Sequence, residues 1–189
     1  MRRVRVDAAA HYRQLLRLGR DEFLAAAAPA ALVRYRTAAE ELATEVDGRS
    51  IAASTATIES ELEDELLKHG VEVTLSYGRD LAVESDLEVF PLVKKPGASF
   101  PDRITIGRTG NNDVVINDTS ISRLHAYIRR ARDAWLIADG GSKNGSSLGG
   151  SRLEARKERP LPSRTILRLG EVDLTFYSAD DLFGALGGS

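Results

Sequence analysis

Arg108, Ser122, Arg123 and Lys143 stand at three separate breaks between hydrophobic runs and offer guanidinium, hydroxyl and ammonium donors. That donor set suits a phosphorylated side chain, which carries about −1.5 to −2 charges near neutral pH and three strong acceptor oxygens. A guanidinium gives paired, charge-assisted bonds, while shorter hydroxyl and backbone donors fix orientation. Catalysis has less to stand on. His11, His69 and His125 are far apart and belong to no paired metal-ligand motif. Gly140-Gly141-Ser142-Lys143 contains a lysine but lacks P-loop spacing, GxSxG is absent, and the chain has no cysteine. The residues therefore point to binding, with no catalytic residue, metal or cofactor expected.

Such donors need a rigid frame, and the hydrophobic pattern supplies one. From Val89 onward come short β-type runs at Val89–Val93, Ile104–Ile106, Val114–Ile116, His125–Ile128, Trp135–Ile137, Thr165–Leu169 and Val172–Tyr177. Gly, Asn, Asp or Pro clusters separate most of them, which predicts an all-β sandwich with Trp135 in its core. Loops gathered at one end of such a sandwich are a common way to assemble a binding site.

Residues 1–70 read differently. Tyr12, Leu15, Leu16, Phe23 and Leu24 recur at helical spacing in an Ala-, Leu-, Glu- and Arg-rich stretch. Pro29 is placed to open a second helix running through Leu32, Val33, Tyr35, Ala39 and Leu42 to a break at Asp47-Gly48. A third helix, from near Thr57 to Gly70, carries Ile58, Leu62, Leu66 and Leu67. Val71, Val73 and Leu75 then alternate with polar residues like a half-buried strand, within an acidic connector reaching residue 88. The expected fold class is α+β: an N-terminal helical segment of two to three helices (1–70), a connector (71–88), an all-β sandwich (89–178) and a C-terminal tail (179–189).

Charge divides the chain in the same way. The whole chain of 189 residues has a formal net charge of −2, which suggests no nucleic-acid partner. Residues 89–178, however, hold fifteen Lys/Arg against nine Asp/Glu, while residues 71–88 hold one against five. The basic sandwich is thus equipped to recruit an anionic ligand. Arg2, Arg3 and Arg5 are followed by no apolar signal-peptide core, and the longest apolar run, Phe23 to Val33, has eleven residues and includes Pro29. With no cysteine to form a disulfide, a cytoplasmic, non-membrane setting is expected. Abundant alanine and arginine point to a GC-rich bacterial genome.

Taken in order, IGR, NNDVVI, ISRLHAYI, WLIADGGSKNGSSLGG and TILRLGEVDLTF resemble the forkhead-associated (FHA) domain over roughly residues 89–178. The resemblance implies an FHA-type β-sandwich that binds phosphothreonine peptides, an adaptor downstream of a Ser/Thr kinase and not an enzyme. It implies that Arg108 and Ser122 contact the phosphate, helped by Arg123, and that Asn144 bonds the peptide backbone just after the phosphothreonine. Gly107 and Gly145 are implied as backbone-geometry residues, and His125 as the histidine that braces the serine loop. One position departs from the pattern: Lys143 stands where many members carry threonine. A side chain there can replace a hydroxyl contact with a point charge or turn to solvent. Two other expectations stay open beside this one. The sandwich can act as a phosphate-independent scaffold, or Thr44 or Thr55 in the helical part can become an intramolecular or intermolecular ligand once phosphorylated.

Overall fold

The computed structural model describes residues 8–35 and 87–188. The described chain opens with α1 (Ala8–Leu16) and α2 (Arg20–Ala26). Ala9, Tyr12 and Leu15 are the buried face of α1, spaced three apart so that they fall on one side. Asp21 and Glu22 sit in the first turn of α2, where negative charge favours the exposed N–H groups. These helices lead into two sheets: β1 (Ala30–Tyr35), β2 (Leu87–Pro91), β7 (Ser146–Leu148), β8 (Ser151–Arg152), β10 (Thr165–Leu169) and β11 (Val172–Ser178) form one, in the order β2-β1-β11-β10-β7-β8. The other contains β3 (Ile104–Gly107), β4 (Val114–Val115), β5 (Ala126–Ala131), β6 (Ala134–Asp139) and β9 (Arg159–Pro160), in the order β4-β3-β5-β6-β9.

Between the sheets lies a core built from Leu32, Ile106, Ile128, Ile137, Leu167, Leu169 and Phe176, all fully buried. Trp135 is half-buried at its margin, its ring edge-on to Phe176 with centroids 5.8 Å apart. A second core covers the opposite face of the six-stranded sheet. There Ala31, Val33, Val89 and Tyr177 meet Tyr12, Leu15 and Phe23 of the helices and Leu182 and Phe183 from α3 (Ala179–Ala185). Phe23 is the centre of this layer, with ring centroids 5.7 Å from Tyr12 and 5.2 Å from Phe183. Phe23→Ala should therefore cost about 3 kcal/mol of stability, read as a lower midpoint in denaturant titration.

Two readings of the sequence are corrected. Pro29 does not open a helix: Ala30–Tyr35 is a strand, paired antiparallel with β11 on one side and β2 on the other. Ala30 and Leu32 face the sandwich core while Ala31 and Val33 face the helices, so the strand is apolar without interruption and shows no alternation. Residues 179–185, expected as a tail, form α3 instead. The Ser178 hydroxyl caps it by accepting from the Asp181 N–H, and Asp180 and Asp181 occupy its first turn. The third expected helix, the expected strand at Val71–Leu75 and the rest of the connector up to residue 86 lie outside the described residues.

Candidate functional site

β3 ends at Gly107 and the chain turns at Arg108; Ser122 and Arg123 lie before β5; Lys143 and Asn144 lie between β6 and β7. The structure gathers these five residues around one open depression of about 960 Å³ at an end of the sandwich. Backbone contacts pull the three loops together. Arg108 donates its backbone N–H to the Ser122 carbonyl at 3.0 Å, and the Lys143 backbone N–H donates to the Ser122 hydroxyl oxygen at 3.0 Å. Gly107 makes this approach possible, because a Cβ there would stand 2.2 Å from the Arg123 carbonyl oxygen.

His125 is fully buried and ties two of the loops together. Its Nδ1 accepts the Ser122 backbone N–H at 3.0 Å, which leaves Nε2–H to donate to the Gly145 carbonyl at 3.1 Å. Burial pushes its pKa down, against smaller upward pulls from the Gly145 bond and the Asp139 charge. A neutral imidazole is what this arrangement requires. Gly145 itself has φ 81°, the left-handed turn that glycine adopts without strain.

The ends of these candidate side chains are only partly engaged by described residues. Among the described residues the Arg108 guanidinium bonds only through Nε, to the Ile121 carbonyl at 3.2 Å, and none of them takes its terminal nitrogens. The Ser122 hydroxyl accepts a bond but keeps its proton to donate. Asn144 spends one amide N–H on the Ser120 carbonyl at 2.8 Å, retaining its carbonyl oxygen and second N–H. Arg108, Arg123, Lys143 and Arg156 form no ion pair with a described residue, whereas Lys94, Arg103, Arg129, Lys157 and Arg164 each face a carboxylate. No group of described residues has the composition to hold a metal ion, and no described helix is long and apolar enough to cross a membrane.

Four supporting residues were not singled out from the sequence. Asn112 donates to the Arg123 carbonyl at 2.6 Å and to the Thr109 carbonyl at 2.9 Å, fixing the serine loop against the arginine loop. Asp113, beside it, is buried and accepts from Lys94 Nζ, the Lys95 N–H and both donors of Thr105. Burial pushes its pKa up, yet these donors together hold it below the ordinary value. Asp139 plays the same part under the third loop, accepting from the Gly141 and Ser142 N–H groups and the Ser142 and Ser146 hydroxyls. Ser120 holds Asn144 through its carbonyl and accepts the Glu171 N–H on its hydroxyl. An Asp just ahead of Gly-Gly-Ser is a recognisable turn signal, and Asn-Asn-Asp before a strand is another.

The structure is thus a two-sheet β-sandwich with a loop-borne cluster of donors at one end. Residues 104–170, about a third of the chain, match the family model of the FHA domain, and this stretch is an FHA domain. FHA domains are binding modules, not enzymes. Among curated proteins, the chain is 33% identical over 76 residues to an ABC transporter ATP-binding/permease protein of Mycobacterium tuberculosis, covering 40% of this chain and 8% of that one. It is also 33% identical over 78 residues to an FHA domain-containing protein of Arabidopsis thaliana, covering 41% and 19%. The match thus spans less than a fifth of either relative's length. Among solved structures, the FHA domain of the CT664 protein from Chlamydia trachomatis is 29% identical, covers 48% of this chain and 84% of its own, and has a TM-score of 0.40. Mycobacterium tuberculosis EmbR, in complex with a low affinity phosphopeptide, is 27% identical, with coverages of 41% and 20% and a TM-score of 0.38.

Proposed function

We propose that this chain is a phosphothreonine-peptide-binding adaptor, acting in cytoplasmic protein–protein interactions that a Ser/Thr kinase switches on. The observation that carries the reading is the convergence of Arg108, Ser122, Arg123, Lys143 and Asn144 on one depression, with donors that no described residue engages. Recognition of phospho-motifs by arginine clusters is an established use of the FHA fold. In this reading Arg108 grips the phosphate with its terminal nitrogens and Ser122 donates its hydroxyl. Arg123 and Lys143 supply charge, and Asn144 bonds the peptide backbone. Gly107, His125 and Gly145 keep the loops in place. The test is paired titration of one threonine peptide, phosphorylated and unphosphorylated, against the whole chain. Binding only of the phosphorylated form supports the reading, and equal binding of both sinks it in favour of a phosphate-independent scaffold.

A ligand within the chain is part of this proposal. Thr44 and Thr55 lie outside the described residues, but the segment carrying them leaves β1 at Tyr35 and returns at Leu87, its register partner. From Ala30 opposite Ser178 to Val33 opposite Thr175, β1 runs toward the end of β11 that carries the Gly170-Glu171 turn. That turn bonds Ser120 and hence borders the site. A phosphate on either threonine would be tethered at high effective concentration. After kinase treatment, mass spectrometry should find Thr44 or Thr55 modified, and modification should weaken binding of an added phosphopeptide. Absence of modification at both removes this part of the proposal.

A further inference from the structure

The stretch from the end of β6 to the start of β7 reads Asp139-Gly140-Gly141-Ser142-Lys143-Asn144-Gly145, and it opens and closes on a chemically fragile pair. Asparagine is thermally labile because its side-chain amide is an electrophile within reach of the next backbone nitrogen. When that nitrogen loses its proton it attacks Cγ. The new C–N bond closes a five-membered succinimide, and Nδ2 leaves as ammonia. Water then opens the ring at either carbonyl, giving aspartate or isoaspartate. A following glycine speeds the closure, since no Cβ hinders the approach. Aspartate before glycine closes the same ring with loss of water, chiefly from its neutral carboxyl.

The fold restrains both pairs at the nitrogen. The Gly140 N–H donates to the His125 carbonyl at 2.7 Å, and the Gly145 N–H to the Ser142 hydroxyl oxygen at 2.9 Å. Each potential nucleophile thus holds its proton in a hydrogen bond. At Asp139 the electrophile is disarmed as well. Burial pushes its carboxyl up, yet the Ser146 and Ser142 hydroxyls and the Ser142 and Gly141 N–H groups hold it below the ordinary value, hence ionised. Asn144 lacks that second protection. Its amide is neutral, the residue is exposed to water, and its side chain is held among the described residues by one bond, from Nδ2 to the Ser120 carbonyl at 2.8 Å. Nearby charge favours closure here. The Arg152 guanidinium stands over the turn, where a Cβ on Gly145 would lie 2.9 Å from its Nη2, and a cation there stabilises a deprotonated amide. Restraint at Asn144 therefore falls on Ser142, whose hydroxyl donates to Asp139 Oδ2 at 2.7 Å and so turns a lone pair toward Gly145.

We infer that Asn144 is a site of spontaneous deamidation, that Ser142 sets its rate, and that the reaction turns the depression from one that recruits an anion into one that repels it. Either product carries a carboxylate at a position that lines the depression with Arg108, Ser122 and Lys143, and isoaspartate also adds a methylene to the backbone. Both lose the amide N–H that the Ser120 carbonyl accepts. The effect on peptide binding rests on the phosphothreonine reading above; the chemistry at Asn144 does not.

The test incubates the whole chain at mildly alkaline pH and follows the tryptic peptide from Asn144 to Arg152 by mass spectrometry, with chromatography to separate aspartate from isoaspartate. The folded parent should convert roughly tenfold more slowly than the same chain unfolded in guanidinium. Ser142→Ala should speed the folded rate roughly two- to tenfold, the rate equivalent of one hydrogen bond, and leave the unfolded rate unchanged. Ser142→Thr keeps a hydroxyl and should restore the parent rate. Because Ser142→Ala also removes a donor to Asp139, a denaturation curve gives the unfolded fraction of each variant. An acceleration no larger than that fraction explains assigns the effect to global unfolding and overturns the inference. So does a folded rate equal to the unfolded one, or a folded rate that Ser142→Ala leaves alone. Asn144→Asp stands in for one product and should lower phosphopeptide affinity about tenfold in fluorescence anisotropy; undiminished affinity overturns the switch. A parent chain that binds no phosphopeptide sinks the phosphothreonine reading and the switch with it, while the measured rates still decide the chemistry at Asn144.

Discussion

Arg108→Ala is expected to weaken a phosphothreonine peptide by about 10- to 100-fold, because hydrogen bonds to charged groups are each worth about 1.5–3 kcal/mol. The fold should be indifferent. Arg108 is exposed, and its only side-chain bond among the described residues runs from Nε to the Ile121 carbonyl, so thermal melting should stay close to that of the parent chain. Arg108→Lys keeps the charge but loses the planar, two-pronged donor, and should fall between the two. Ser122→Ala makes a complementary case. It removes the hydroxyl proton that the proposed site would offer to a phosphate and also the acceptor that holds the Lys143 N–H. Its loss of affinity should therefore contain a part due to displacement of the Lys143 loop, and a double-mutant cycle with Lys143→Ala measures how far the two positions are coupled. Unchanged affinity in both Arg108→Ala and Ser122→Ala would show that the phosphate does not sit here. Raising salt should narrow the difference between parent and Arg108→Ala, since the depression is open to solvent and its field is screened over about a Debye length.

The parts of this site that could be read from the sequence are those in which residue type and local pattern carry the information. Ile104, Ile106 and Ile128 alternate or cluster as strands do, and Arg108, Ser122 and Asn144 stand in loops whose order is itself a signature; the structure finds the strands there. What stayed hidden depends on contacts between distant segments. Ala30–Val33 is apolar without a break because two different layers cover its faces, and one of those layers comes from α1, α2 and the far C-terminal α3. No local window reveals such double coverage, and a proline followed by Ala-Ala-Leu-Val is compatible with a helix start. Asn112 and Asp113 were visible as turn residues, but their use was not, because the carbonyl Asn112 holds belongs to Arg123, eleven residues on. The bonds that tie Asn144 to Ser120 and Gly140 to His125 were hidden for the same reason: partners from separate segments become neighbours only once the fold is set.

His125→Ala should have the largest effect on the fold around the site, and the reasons add. The ring is fully buried, so truncation leaves a cavity; it also strands the Ser122 N–H and the Gly145 carbonyl, each of which loses its imidazole partner. The Gly145 carbonyl retains the Gly170 N–H at 3.0 Å, whereas the Ser122 N–H has no substitute among the described residues. Together these cost about 2–4 kcal/mol, measured as a shift in the denaturation midpoint. Phosphopeptide affinity should fall as well, since the ring is what couples the serine loop to the Asn144-Gly145 turn. The parent chain carries a related signature in its pH dependence. Burial lowers the pKa of His125 in the folded state below the ordinary 6.5, so the unfolded chain takes up the proton first. Stability is then fully present above about pH 6.5 and is lost as pH falls from there toward the lower folded value. A proton on Nδ1 would also face the Ser122 N–H donor to donor. Asp113 and Asp139 act in a separate window: their folded pKa values are held below the ordinary carboxylate value of 3.8, so what they contribute is present above that value and lost only as pH falls further. Denaturation measured without peptide between pH 7 and 5 isolates the histidine from these carboxylates, and from the phosphate, whose own second pKa of about 6 would confuse a binding assay. His125→Asn should flatten that slope. A parent chain whose stability does not change between pH 7 and 5 would contradict the neutral, doubly bonded imidazole on which the loop arrangement depends.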